Sequence, residues 1–154
     1  MTKNLLACSL LAALALVIIA SPARADRCDD LAKQLKTQIA GLNIGKTAAN
    51  LIYLSHPKAK QLTLGCAARN VNYQLFAKSE NRKPQAAFID LVASAAAIIF
   101  TLPKDDMARG ATRCIKRMGI IHGDDVATRY RRLDMRCVRT RTDASITISR
   151  GTDE

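Results

Sequence analysis

The pattern of apolar and polar positions changes character three times along this chain. From Leu5 to Ala20 only Ser9 interrupts an apolar block, which falls short of the roughly 20 residues that a membrane-spanning helix needs. After residue 25 the pattern becomes periodic. Cys28, Leu31, Ala32, Leu35 and Ile39 recur at helical spacing behind Asp26, Asp29 and Asp30, which suit a helix amino terminus, and Gly41 stops the run. The period then falls to two: Leu62, Leu64 and Cys66 alternate with Gln61, Thr63 and Gly65, as in a half-buried strand. Residues 50–55 and 71–77 read as its neighbours, with His56, Pro57, Lys58 and Lys60 supplying a turn.

A second helical stretch follows Pro84, a residue suited to a first turn. Over 86–102 only Asp90, Ser94 and Thr101 are polar. Such a helix is either buried or in a membrane, and its length, its aspartate and its alanine content predict a central buried helix ended by Pro103. Met107, Ala108, Ala111, Cys114, Ile115 and Met118 form the stripe of a third helix. Lys116 and Arg117 occupy its last turn, and Gly119 lies just past its end. Two further strands are predicted where Leu133, Met135 and Cys137 share one face and Ala144, Ile146 and Ile148 share another, joined by a polar turn near Thr142 and Asp143. The expected fold is α+β: an antiparallel sheet of about five strands with about three helices packed on one face.

The first apolar block changes this picture by setting a compartment. Lys3 gives it a positive start and Ala23-Arg24-Ala25 a small-x-small cleavage pattern, so residues 1–25 are expected to be a cleavable signal peptide and 26–154 a single domain, periplasmic or secreted. Leu6-Ala7-Cys8 has the look of part of a lipoprotein box, yet most of the apolar region follows it instead of preceding it. Past the leader, Cys28, Cys66, Cys114 and Cys137 remain, an even set on apolar faces of different elements. Two structural disulfides are expected. Sequence alone does not choose among the three pairings; matching helix to helix and strand to strand favours Cys28 with Cys114 and Cys66 with Cys137. No C-x-x-C suggests redox chemistry, and neither the cysteine spacing nor the two histidines make a zinc quartet, so no metal or cofactor is expected.

The chain carries a net charge of +11, lowered by two when Lys3 and Arg24 leave with the signal. Such a surface attracts polyanions and argues against a part as inhibitor of a cationic lysozyme. Arg129, Arg131, Arg132, Arg136, Arg139 and Arg141 are the densest charge feature. With Leu133, Met135 and Cys137 facing inward, Arg132 and Arg136 are expected on the outer strand face beside Asp134, and Arg129, Arg132 and Arg136 become candidate binding residues. Their planar forks suit lipid phosphate or an acidic glycan. Three tyrosines, three phenylalanines and no tryptophan give little to stack bases on, so specific nucleic-acid recognition is not expected.

Candidate chemistry is sparse. Gly45-Lys46-Thr47 lacks the spacing of a phosphate loop, with Gly41 one residue too close, and is expected to be a plain helix-to-strand loop. His122, Asp124 and Asp125 could bind a divalent ion or serve as general base on a phosphodiester held by the arginines, although Gly-Asp-Asp is also ordinary turn chemistry. No serine-elbow or zincin motif is present. Residues 51–57, the Leu62-Thr63-Leu64-Gly65-Cys66 strand, the alanine-rich helix and the Arg113-Cys114 pair resemble a group of small, uncharacterised exported proteins of alphaproteobacteria. That resemblance implies export and a cysteine-stapled fold, and no activity. The sequence therefore points to a non-catalytic binding or structural module with a basic surface for an anionic envelope partner. The alternative is a hydrolase of a phosphorylated or polyanionic substrate working through His122 with Asp124 or Asp125.

Overall fold

In the computed structural model, which describes residues 25–67 and 72–150, three helices cover one face of a seven-stranded antiparallel sheet. The expected signal peptide, residues 1–25, lies outside the described residues except for Ala25. In chain order the elements are α1 (Ala25–Gln38), β1 (Asn43–Ala48), β2 (Leu51–His56), β3 (Ala59–Gly65), β4 (Gln74–Lys78), α2 (Ala86–Phe100), α3 (Lys104–Arg117), β5 (Asp125–Tyr130), β6 (Leu133–Arg139) and β7 (Ala144–Arg150). The sheet order is β1-β2-β3-β4-β7-β6-β5, so the last strand closes against the fourth. The α+β class is as expected. The strand count is not: seven strands replace the expected five, and the two additions, β1 and β5, are the sheet edges.

The register explains why one face is buried. Leu62 lies opposite Ala77, Ala77 opposite Ile146, and Ile146 opposite Cys137; the next row runs Ile52, Leu64, Leu75, Ile148 and Met135. All of these are buried and join one core with Leu35, Val92 and Met107 from the helices. The apolar side of the pleat is thus continuous across strands far apart in sequence.

Helix α2 is buried on several sides, through Phe88, Leu91, Val92, Ala95, Ala96 and Ile99, which accounts for its nearly unbroken apolar run. Thr101 ends it in the left-handed conformation (φ 56°), its N–H bonding to the Ala97 carbonyl, and Pro103 caps the start of α3. No helix among the described residues is long and apolar enough to cross a membrane. Helix α3 carries Asp105 and Asp106 in its first turn and Lys116 and Arg117 in its last, the order that complements its dipole. It lies close against the sheet. A Cβ at Gly110 would come within 2.8 Å of Met135 Cε and 2.9 Å of Tyr130 Cδ1.

The four cysteines among the described residues pair, but not by element type. Cys28 of α1 is bonded to Cys66 just after β3, and Cys114 of α3 to Cys137 of β6. The favoured pairing of helix with helix and strand with strand is corrected. Helix α3 packs on β5 and β6 and α1 beside β1, strands that follow them in the chain, and that order brings each helix thiol to a later strand's thiol. Gly45-Lys46-Thr47, expected as a loop, is part of edge strand β1, where the register shifts between Ile44 and Thr47. A bulge and a lysine on an exposed edge hinder the pairing of that edge with another chain.

Candidate functional site

No helix among the described residues covers the opposite face of the sheet, whose residues follow from the same register. One row runs Tyr53, Thr63, Phe76, Thr147, Arg136 and Ala127; the next runs Leu51, Gly65, Gln74, Ser149, Asp134 and Arg129. Aromatic and aliphatic residues occupy the β2–β4 side of this face, hydroxyls and an amide the middle, and charges the β5–β6 side. A shallow groove of about 560 Å³ follows the charged side, between Gln74, Ser149 and Thr147 on one flank and Arg129, Asp134 and Arg136 on the other.

Strands β6 and β5 place two of the three predicted binding residues here. Arg136 faces out because Met135 and Cys137 on either side of it face the core. Its guanidinium grips Asp125 through two bonds, Nε to Oδ1 at 2.8 Å and Nη2 to Oδ2 at 2.5 Å. This hydrogen-bonded fork holds the Asp125 carboxyl below the ordinary carboxylate range. Arg129 lies near Asp134, with Nε 3.9 Å from Oδ1. Arg132 is elsewhere, which corrects the expectation that it shares the outer strand face with Arg136. Arg131 and Arg132 form the two-residue turn between Tyr130 and Leu133, with φ of 51° and 62°, the backbone signature of a tight type I′ hairpin. An Arg-Arg pair gives no sequence cue for such a turn, which asparagine and glycine usually occupy.

The neighbouring arginines are also matched to carboxylates. Asp124 lies 3.3 Å from Arg82 Nη2 and 3.9 Å from Arg139 Nη1. Asp106, buried at the start of α3, is bonded by Arg109 and lies 3.4 Å from Arg131 Nε. Arg132 and Arg141 have no carboxylate partner among the described residues. The two aspartates of the His122 cluster are therefore held by arginines, and neither is recorded in a bond to His122. No grouping of three or more histidine, cysteine or acidic side chains suited to a metal ion occurs among the described residues.

His56, the other histidine, has a structural part. Its Nε2 donates to the Ala40 carbonyl at 3.0 Å and its Nδ1 accepts from the Lys58 N–H at 3.1 Å, tying the β2–β3 turn to the end of α1. The aromatic residues of the open face, Tyr53 and Phe76, were not singled out from the sequence. Their alternation with Ile52, Leu54, Leu75 and Ala77 was the signal that would have placed them. Lys46 sits 5.2 Å from the centre of the Tyr53 ring, within cation–π range. No protein-family model, no curated protein and no solved structure matches this chain.

Proposed function

We propose that the protein is an exported, extracytoplasmic binding module, non-catalytic, whose basic carboxyl-terminal hairpin associates with an anionic component of the cell envelope. The observation that carries the reading is the imbalance of charge on that hairpin. Between residues 125 and 143 stand Arg129, Arg131, Arg132, Arg136, Arg139 and Arg141, while the carboxylates of the same stretch that face outward are Asp125 and Asp134. The third, Asp143, is buried and turns to Lys78 and Lys60.

Pairing does not disqualify an arginine as a ligand-binding group. A guanidinium has five N–H donors and a bidentate carboxylate uses two, so Asp125 can orient Arg136 while leaving donors for a phosphate or a second carboxylate. Arg132 and Arg141 supply the uncompensated charge. Two disulfides support an oxidising compartment, and the arrangement of Asp124 and Asp125 on arginines favours a structural use for these carboxylates over a catalytic one.

The test is retention on an immobilised sulfated glycan, with salt as the variable. The wild-type protein is expected to elute progressively earlier as ionic strength rises, and the Arg132→Glu/Arg136→Glu variant to lose roughly tenfold or more in affinity, because two charge reversals act within a Debye length of the ligand. Retention that ignores both salt and the substitutions would sink the reading.

A further inference from the structure

Between α3 and β5 the chain makes a small finger. The Gly119 N–H donates to the Gly123 carbonyl at 2.9 Å and the Gly123 N–H to the Gly119 carbonyl at 2.7 Å, so the stem is pinned by a reciprocal pair of backbone bonds. Gly123 takes a φ of +72°, which closes the turn. The tip is Ile120, Ile121 and His122. Ile120 is 106% and Ile121 90% exposed, whereas the next most exposed large hydrophobic among the described residues, Ile44, stands at 37%. A Cβ built on Gly119 or Gly123 meets nothing within 4 Å, so the stem too stands clear of the body.

Single exposed apolar side chains are commonplace on protein surfaces; two adjacent, fully exposed isoleucines on a braced loop are not. The base beneath them is firm. Met118 is buried, its carbonyl receives Arg139 Nη1 at 3.5 Å, and the Arg139 N–H bonds to the Asp124 carbonyl at 2.7 Å. The base is also net cationic, the carboxylates of Asp124 and Asp125 beside Gly123 being paired with Arg82 and Arg136. Lys116 and Arg117 end α3 just before the finger, Arg113 is one turn back, and Arg82 reaches from the other side to Asp124.

We infer that this finger is a bilayer-insertion element: Ile120 and Ile121 enter the headgroup–acyl boundary of an anionic membrane while the basic collar, Arg113, Lys116 and Arg117 foremost, lies on the lipid phosphates. An apolar tip within a cationic rim matches the layering of a lipid surface, where charge lies outermost and hydrocarbon begins about 5–10 Å further in. A three-residue tip on a braced stem suits that shallow depth. The inference rests on the anionic-partner reading and gives that partner a chemical form, lipid phosphate over acidic glycan.

The experiment exploits the absence of tryptophan from the chain, which makes a single Ile121→Trp substitution a clean reporter. With vesicles of phosphatidylethanolamine and phosphatidylglycerol, the emission is expected to shift to the blue and to be quenched by brominated acyl chains. Ile120→Ser/Ile121→Ser should lower vesicle affinity about tenfold or more, leaving glycan retention and the melting temperature unchanged, and Lys116→Gln/Arg117→Gln should weaken vesicle binding in a salt-dependent manner. Vesicle binding with an unshifted tryptophan and no effect of the serine pair would overturn insertion while leaving the anionic-partner reading intact. Glycan retention without vesicle binding does the same. Failure to bind either surface removes both readings.

Discussion

The two halves of this molecule follow a similar order of elements, a helix leading into an antiparallel meander of four strands (β1–β4) after α1 and of three (β5–β7) after α3, and each carries its own disulfide, yet they are held together in different ways. In the amino-terminal half, Cys28–Cys66 closes 38 residues and ends beyond β3 at a half-buried cysteine. In the carboxyl-terminal half, Cys114–Cys137 closes 23 residues, and both of its cysteines are fully buried in the core beneath α3. The outer strand of the first half, β1, has no buried residue; that of the second, β5, buries Val126 and is tied to α3 where Arg117 Nη1 donates to Thr128 Oγ1 at 3.4 Å. The comparison teaches that a similar order of elements can be stapled at its rim or through its interior, and that the interior staple accompanies the closer packing of helix on sheet.

The largest expected effect separates the two staples. Loop-closure entropy alone predicts a loss of ~4 kcal/mol for Cys28→Ala/Cys66→Ala and ~3 kcal/mol for Cys114→Ala/Cys137→Ala. The buried pair also leaves a cavity in a packed core, which is expected to reverse that order. Urea unfolding of both double variants measures the difference; a costlier amino-terminal pair would break the contrast.

An intermediate effect tests the close approach of α3. At Gly110 a methyl group meets Met135 and the Tyr130 ring, so Gly110→Ala should cost about 1–3 kcal/mol despite the better helix propensity of alanine. A stabilised variant in thermal unfolding would show that the helix has room to lift.

The smallest effect is a pH dependence at the place where the halves meet, because Lys60 and, in part, Lys78 stay open to solvent. Asp143, in the turn before β7, accepts from Thr140 Oγ1 at 2.6 Å and pairs with Lys78 of β4 at 3.0 Å and Lys60 of β3 at 3.4 Å. The Thr140 hydroxyl first, then Lys78, lowers its carboxyl to about 2 from an ordinary 3.8. A carboxyl depressed in the folded state stabilises above its unfolded value and loses that contribution as pH falls through the folded one. Stability should therefore decline as pH drops from 3.8 toward about 2, and Asp143→Asn should flatten that slope. An unchanged slope would show that other carboxylates, and not Asp143, set the acid dependence.

Much of the fold was legible because burial writes a period into the sequence. Leu31, Leu35 and Ile39 marked α1, and Leu62 with Leu64 marked β3, since each faces a core that excludes polar side chains. The edge strands escaped for the opposite reason: Asn43–Ala48 buries nothing, so no alternation is imposed on it. The two turns flanking these edges, Ala49-Asn50 and Arg131-Arg132, adopt positive φ without a glycine, and that hid the β5–β6 hairpin and misplaced Arg132. Ile120 and Ile121 left no mark at all, because exposure is a property of the folded surface and two isoleucines after a helix read equally well as core.

Among the described residues the bonded thiols are neighbours in chain order, Cys28 with Cys66 and Cys114 with Cys137. A polypeptide threaded out of the cytoplasm amino terminus first would present Cys28 and Cys66 to an oxidase before Cys114 had emerged, and each later thiol would meet one free mate. For such a chain native connectivity would follow from the order of emergence, and maturation would require an oxidant but no isomerase to unscramble mismatched crosslinks.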